Sequence, residues 1–151
     1  VYKYLQTGKY EPRDSQQTIA NAMDVGDPSN FARIYDLFGG SHEQISALMS
    51  GATYSDAQIR HTMKACHDTT GYILDPHGAC GYQALKDLLL PGEHGVFGET
   101  AHPAKFKNVV EDAIGTEVQI PERLAAFMKG TKQSVEMTKD FDSFKAFLMK
   151  Q

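Results

Sequence analysis

The sequence of 151 residues contains no tryptophan and only two cysteines, Cys66 and Cys80. Two cysteines are too few for a disulfide framework and are typical of a protein in a reducing compartment. Free cysteines in such proteins usually behave as small buried apolar residues. We therefore predict a cytoplasmic protein in which both thiols are structural.

Long hydrophobic runs and an excess of basic charge are also missing. The densest apolar stretches, such as Leu88-Leu89-Leu90, are far shorter than the roughly 20 residues that a membrane helix needs. Lysine and arginine number 15 against 19 acidic residues, for a net charge of −4. Residues 1–4 contain neither an initiating methionine nor the core of a signal peptide. We expect neither a membrane nor a nucleic acid as a partner.

The sequence lacks the residue spacings that are typical of metal sites and of serine hydrolases. The six histidines include no His-x-x-x-His pair, and His61 and His67 are six residues apart, which places them on different faces of a helix. No Gly-x-Ser-x-Gly elbow accompanies the segment 98–100. The sequence therefore predicts no metal site and no serine hydrolase.

The sequence does contain clear signals for where helices begin and end. Asp27-Pro28 has the form of a helix N-cap followed by a first-turn proline, and Gly39 ends the apolar pattern that follows. Ser41 to Gln44 and Ser55 to Gln58 match capping boxes. We therefore predict that these two serines cap helices and are not nucleophiles.

Two short apolar runs interrupt the helical pattern, at 72–74 and 95–98. Each run precedes a helix, one starting near Asp75-Pro76 and the other near His102-Pro103, which predicts a parallel βαβα unit. Two parallel strands alone leave both faces and both edges uncovered. We therefore expect these strands to belong to a larger sheet.

Ligands of open parallel sheets bind where the strand ends lead into helix N-termini, and this rule selects the loops 75–79 and 99–105. Free backbone N–H groups at such helix starts favour anions, and the ammonium of Lys105 lies in the first turn of the second helix. A simpler interpretation is that Asp75 is only an N-cap and that His77 and His102 are exposed first-turn residues.

Three segments, 18–31, 75–85 and 99–106, resemble segments of the threonine synthases in the same order along the chain. The first contains Asn-Ala-Met-Asp, and the third, Glu-Thr-Ala-His-Pro-Ala-Lys-Phe, is the most specific. The resemblance implies a fold-type II pyridoxal-phosphate enzyme of the tryptophan synthase beta-like, three-layer type. The predicted fold class is accordingly α/β and helix-rich, a βαβα piece with only a few short parallel strands.

The resemblance also implies a domain organisation in three parts. We assign 1–17 to a connector, 18–116 to the C-terminal part of the pyridoxal-phosphate-binding α/β domain, and 117–151 to a C-terminal helical tail. The similarity is weakest in the last of these parts.

The implied reaction converts O-phospho-L-homoserine and water to L-threonine and phosphate. The lysine that carries the cofactor and the loop that binds its phosphate lie upstream in the family. Neither Phe-Lys-Asp nor Gly-Asn-x-Gly occurs here. Lys105 matches a different family position, so we assign no catalytic residue to this chain. We expect the chain to be inactive and without cofactor by itself, to need a missing N-terminal part, and to self-associate through exposed apolar surface.

For individual residues, the resemblance implies that the hydroxyl of Thr100 hydrogen-bonds the pyridine nitrogen of the cofactor. A hydroxyl does not hold this nitrogen protonated as a carboxylate would, so the ring withdraws electrons less strongly. A further set of residues is expected to line the site around the substrate: Asn21, Asp24, His77, His102 and Lys105.

Other functions remain open from the sequence. One is another fold-type II enzyme, such as a threonine dehydratase or a sulfhydrylase. A second is an independent helical binding or regulatory module, which the well-capped helices permit. A third is a small metal-dependent hydrolase, for which the required ligand spacings are missing.

Overall fold

The computed structural model describes residues 1–21 and 25–150. Within these ranges the regular elements are α-helices and one short 3₁₀ helix. In chain order they are α1 (Tyr2–Thr7), α2 (Phe31–Leu37), α3 (His42–Leu48), α4 (Asp56–Thr70), α5 (Pro76–Leu88), the 3₁₀ helix (Pro103–Phe106), α6 (Lys107–Ile114), α7 (Glu122–Met128) and α8 (Phe141–Leu148).

Local capping signals set most of the helix ends. The Ser55 side chain accepts from the Gln58 N–H, and the Gln58 side chain accepts from the Ser55 N–H, which confirms the capping box of α4. At α3 only one half of the box forms, where Ser41 accepts from the Gln44 N–H at 3.2 Å. Gly71 ends α4 in the left-handed region, with φ of 73°.

The predicted start of α2 is wrong by several residues. The helix begins at Phe31, and its N-cap position is Asn30, whose side chain makes no capping hydrogen bond. The Asp27 carboxylate instead accepts a hydrogen bond from the Tyr10 hydroxyl at 2.8 Å. The Asp27 side chain, which the local pattern predicted as the cap of α2, is therefore hydrogen-bonded to a residue distant in sequence instead.

The predicted strands at 72–74 and 95–98 do not form. No strand occurs in the described ranges, and no backbone–backbone hydrogen bond joins these two segments there. The backbone N–H of Asp75 donates to a carboxylate oxygen of Glu99, at 3.0 Å, where a ladder would need a carbonyl. The predicted strands of the βαβα unit are therefore corrected: the regular elements of the described residues are helices, as the helix-rich part of the prediction had it, and Leu74 is a fully buried core residue.

The main core lies between α4, α5 and α6, with α4 in the middle of the contacts. Its buried residues come from these helices and from the segments that follow α4 and α6: Ile59, Met63, Cys66, Leu74, Ala79, Val110, Ile114 and Val118. Burial of each large aliphatic side chain stabilises the fold by about 1.5–3 kcal/mol. This core positions the start of α5.

A smaller core joins α1, α2 and α3 through aromatic rings. Phe31 stacks on Tyr10 with centroids 4.3 Å apart and meets Tyr4 edge-on at 4.8 Å. Ile45 of α3 completes the cluster and is fully buried. The segment 1–17, which we predicted to be a connector, thus contains α1 and the buried Tyr4.

The chain divides into two compact units, Val1–Gln119 and Ile120–Gln151. The first contains both cores. The second contains α7 and α8, none of whose residues is buried, and the side chain of Phe127 is 81% exposed. Among the described residues, no helix is both long and apolar enough to cross a membrane.

Candidate functional site

The start of α5 is built around the side chain of Asp75, which is completely buried. Its Oδ1 accepts from the backbone N–H of His77 at 2.8 Å and lies 3.1 Å from the Nδ1 atom of the same residue. Pro76 at the first helical position needs no N–H partner. The cap predicted at Asp75 is thereby confirmed.

The side chain of Glu99 reaches across from the loop before the 3₁₀ helix. Its Oε1 accepts from the Asp75 N–H, and its carboxyl group lies directly against Gly78, in the first turn of α5. A Cβ at position 78 would overlap that carboxyl group. The close approach of the two loops therefore requires glycine at this position.

Two carboxyl groups face each other at this junction. Burial raises the pKa of Glu99 to about 7, and the Asp75 carboxyl acts in the same direction as a nearby hydrogen-bond acceptor and negative charge. Asp75 Oδ2 and Glu99 Oε2 are both buried, and neither has a hydrogen-bond partner in the described part of the chain. Sequence analysis missed this pair, although an acid next to Thr100 and a glycine at Gly78 were visible signals.

Aromatic contact also joins the two loops. The ring of His77 packs against Phe106 of the 3₁₀ helix, with centroids 5.1 Å apart and planes inclined by 50°. Phe106 in turn contacts the main core. The loops 75–79 and 99–105, which the sequence selected as ligand-site loops, therefore do lie together.

His102 and Lys105 lie at the exposed side of the second loop. Nδ1 of His102 accepts from the Ala104 N–H at 3.1 Å and so caps the 3₁₀ helix. A neutral ring with an accepting Nδ1 carries its proton on Nε2, which is thus available as a donor. The Lys105 ammonium lies over the Phe106 ring, 5.6 Å from its centroid, and its side chain is exposed.

Thr100 follows Glu99 directly and is exposed. Within the described ranges its hydroxyl takes part in no hydrogen bond, so it can donate to a bound group. An exposed hydroxyl next to a segment that is fixed at Glu99 and Phe106 fits the acceptor nitrogen of a heteroaromatic ring. The residues present are therefore compatible with the cofactor that the sequence suggested.

Thr18, Ile19 and Asn21, which belong to the first of the three resembling segments, line a groove together with Phe106. The Ile19 N–H donates to Asp56 at 3.2 Å, and Asn21 is half-buried. This shallow groove of about 470 Å³ runs between Asn21, Phe106 and Val109. Asp24, also predicted to line the site, lies outside the described residues.

In residues 1–21 and 25–150, no group of three or more His, Cys, Asp or Glu side chains is arranged to hold a metal ion. Both cysteines are free thiols, with Cys66 buried and Cys80 half-buried.

Comparison with known proteins shows one consistent likeness. The threonine synthase of Haemophilus influenzae is 41% identical over 150 residues, which are 99% of this chain and 35% of that enzyme. The crystal structure of threonine synthase from Escherichia coli superposes with a TM-score of 0.80 and 36% identity, over 99% of this chain and 35% of that one. A PLP-bound threonine synthase from Brucella melitensis gives 0.68 and 25% identity, over 97% and 37%.

The family described as "Threonine synthase, C-terminal" matches residues 78–148. This range includes Gly78, Glu99 and the whole of the 3₁₀ helix. The chain spans 35% of the length of the Haemophilus relative. The chain is therefore similar over nearly its whole length to threonine synthases, and its residues 78–148 match the family of their C-terminal part.

Proposed function

We propose that the protein to which this chain belongs is a pyridoxal-phosphate-dependent threonine synthase, which converts O-phospho-L-homoserine and water to L-threonine and phosphate. The observation that carries the proposal is the likeness of nearly the whole chain to one third of such enzymes, at a TM-score of 0.80. The loop 99–106, the most specific of the resembling segments, lies against the start of α5, where a ligand site is physically reasonable.

Thr100 is the residue of this chain that contacts the cofactor in this proposal. When bound, the cofactor supplies an electron-withdrawing ring that stabilises negative charge on the substrate carbon. The Thr100 hydroxyl donates a hydrogen bond to the ring nitrogen and orients the ring without adding a charge. Its exposure and its lack of a partner in the described ranges support this role.

The remaining predicted residues surround the substrate. His102 and Lys105 are both exposed residues of the loop, and the Lys105 ammonium and the Nε2–H of His102 would bind an anionic group such as the substrate phosphate. His77 supports the loop through Phe106. Asn21 and Asp24 would line the site from the first segment, in keeping with the groove between Asn21 and Phe106.

The chain is proposed to be inactive by itself and to require the N-terminal part of the same protein. The sequence contains neither the Phe-Lys-Asp nor the Gly-Asn-x-Gly motif. Apolar side chains are exposed on segments next to the site, with Leu90 66% and Val96 97% exposed. Cover by the N-terminal part would complete the three-layer fold, and without it this surface favours self-association.

Domain boundaries and location are also part of the proposal. We assign 18–116 to the cofactor-binding domain, because its residues supply most of the main core, with 1–17 as a connector and 117–151 as a tail. The division of the chain after Gln119 supports the last boundary. The two free thiols support a location in the cytosol.

The proposal is tested in the full-length protein with Thr100→Val, which keeps the shape of the side chain and removes the hydroxyl. We expect phosphate release from O-phospho-L-homoserine to fall by about 10²–10³-fold, the usual loss for one active-site donor. Thr100→Ser should retain most activity. Thr116→Val, at an exposed threonine outside the site, is the matched control.

Product analysis separates the alternatives. Release of phosphate together with L-threonine supports the proposal. Release of ammonia from threonine by the wild-type protein, without phosphate release, would support a dehydratase instead. Normal turnover of Thr100→Val would remove this residue from the site while leaving the reaction assignment unchanged.

A further inference from the structure

The junction between Asp75 and Glu99 leaves two buried acceptor atoms without a donor. Asp75 Oδ2 and Glu99 Oε2 are each buried and unpartnered in the described ranges. Leaving a buried acceptor without a hydrogen bond is costly, and two unprotonated carboxylates facing each other also repel. One proton between the two side chains removes both problems at once.

We propose that Glu99 is a positioning residue: it keeps one proton and uses it to donate a hydrogen bond to the Asp75 carboxylate. This hydrogen bond, the latch, holds the segment that carries Thr100 against the start of α5. The contribution of the latch to catalysis rests on the function proposed above. The latch itself rests only on contacts within this chain.

The arrangement of the other donors indicates which carboxyl group carries the proton. Asp75 Oδ1 already accepts from the His77 N–H and lies beside the His77 ring, as expected for a carboxylate. Glu99 Oε1 accepts one N–H, which leaves Oε2 as the atom that can carry the proton. The rise in the pKa of Glu99 to about 7 agrees with this assignment.

Few other titratable groups face the pair. His77 lies against Asp75, and Cys80 is close enough for the Asp75 charge to help raise the pKa of its thiol, after the larger effect of burial. The Cys80 thiol itself donates to the Pro76 carbonyl at 3.4 Å. None of these groups supplies a proton to Oδ2 or Oε2 in the described structure, so the shared proton is the remaining donor.

The sign of the pH dependence follows from the pKa of Glu99. It is about 7 in the folded protein against 4.5 for an unperturbed glutamate. A raised carboxyl pKa means that the folded state binds more protons, so stability falls as the pH rises between these values. The latch is complete at the acidic end and opens as the pH passes through about 7.

Glutamine at position 99 imitates the protonated side chain. Its amide oxygen can accept from the Asp75 N–H, and its NH₂ group can donate to Asp75 Oδ2. Alanine removes both hydrogen bonds. Glu43→Gln, at an exposed acid on α3, is the matched control.

The first test measures the proton directly in cofactor-free full-length protein. Infrared difference spectra between wild type and Glu99→Gln are recorded from about pH 5 to about pH 9, a range that spans the titration. We expect a protonated-carboxyl band in the wild type that titrates near pH 7 and is lost in Glu99→Gln but kept in Glu43→Gln. Absence of that band from the wild type at the acidic end overturns the proposal.

The second test follows the segment 99–106 by hydrogen exchange, expressed as protection factors. In the wild type, protection should fall as the pH rises through about 7, whereas Glu99→Gln should be protected throughout and Glu99→Ala unprotected throughout. Wild-type protection in Glu99→Ala, or the wild-type pH dependence in Glu99→Gln, would also overturn the latch. If the alanine variant does not fold, the glutamine variant still decides.

Cofactor affinity links the latch to function. Glu99→Ala should weaken pyridoxal phosphate binding by about 10- to 100-fold, since misplacement of a contacting group by about 1 Å has effects of this size. Glu99→Gln should restore most of it. If the latch does not exist, the infrared and hydrogen-exchange tests on the cofactor-free protein will show it. If the proposed function is wrong, the wild-type protein will release no phosphate from O-phospho-L-homoserine.

Discussion

The two compact units of this chain both contain α-helices but differ in what those helices bury. In Val1–Gln119, capped helices enclose two cores and fix the junction of Asp75 with Glu99. In Ile120–Gln151, Asp140 caps α8 just as well, yet no residue of α7 or α8 is buried. A cap therefore marks where a helix begins, but it does not bury the helix. Most of the stability of a helix in a protein comes from packing against other elements.

The largest effect should come from the core of the first unit. Leu74→Ala removes a fully buried side chain and should lower the free energy of unfolding by about 2–5 kcal/mol. The comparison in the second unit is Phe127→Ala, which should change it by less than about 0.5 kcal/mol because the ring is largely exposed. Chemical denaturation of the chain measures both, and equal losses would erase the distinction between the units.

Crowding at the loop junction should have the next largest effect. Gly78→Ala places a Cβ on the Glu99 carboxyl group and should destabilise the protein by about 1–3 kcal/mol, the usual penalty for overpacking. Gly98→Ala is the matched control, because its Cβ would meet only Thr100 Cγ2 at an ordinary 3.6 Å. Thermal unfolding compares the two variants, and similar melting temperatures would contradict the close approach of Glu99 to α5.

Loss of a single cap in the first unit should be smaller. Ser55→Ala removes the side chain that accepts from Gln58 at the start of α4, and should lower stability by about 1 kcal/mol. Ser55→Asp, which restores an acceptor, should recover most of the loss. Urea denaturation gives both values, and an alanine variant as stable as wild type would show that packing alone determines the start of α4.

The smallest effect is expected in the second unit and depends on pH. Hydrogen bonds from Ser143 lower the pKa of Asp140, so the folded state favours the carboxylate. Its contribution to α8 is therefore present above the unperturbed pKa and is lost as the pH falls through the lowered one. Circular dichroism should show a small acid-induced loss of helix that is absent in Asp140→Asn. An identical acid transition in both proteins would exclude the Asp140 cap as its cause.

Helix ends that depend on residues close in sequence were predicted correctly where no distant residue hydrogen-bonded the capping side chain. Ser55 and Gln58 pair with each other as predicted. Asp27 was predicted to cap α2 but accepts from Tyr10, 17 residues earlier. The capping prediction failed at the position where a tertiary partner was available to the side chain.

The strand predictions failed for a related reason. The apolar pattern of 72–74 correctly marked Leu74 as a core residue, but a strand also needs hydrogen-bonding partners along its backbone. The Asp75 N–H pairs with Glu99, and no other described segment supplies a ladder. The apolar pattern of a segment indicates which of its residues are buried. A strand also needs a neighbouring strand to hydrogen-bond with, and the pattern of the segment itself does not show whether one is present.

The sequence by itself determined the ends of α4, the cap at Asp75, the family likeness and the two loops that meet at the site, because these depend on local hydrogen bonds and on motif order. Only the tertiary structure decided that Glu99 lies against Gly78 and faces Asp75. Residues 24 positions apart meet there through core packing, and the pKa of Glu99 depends on the burial and charge that this packing creates.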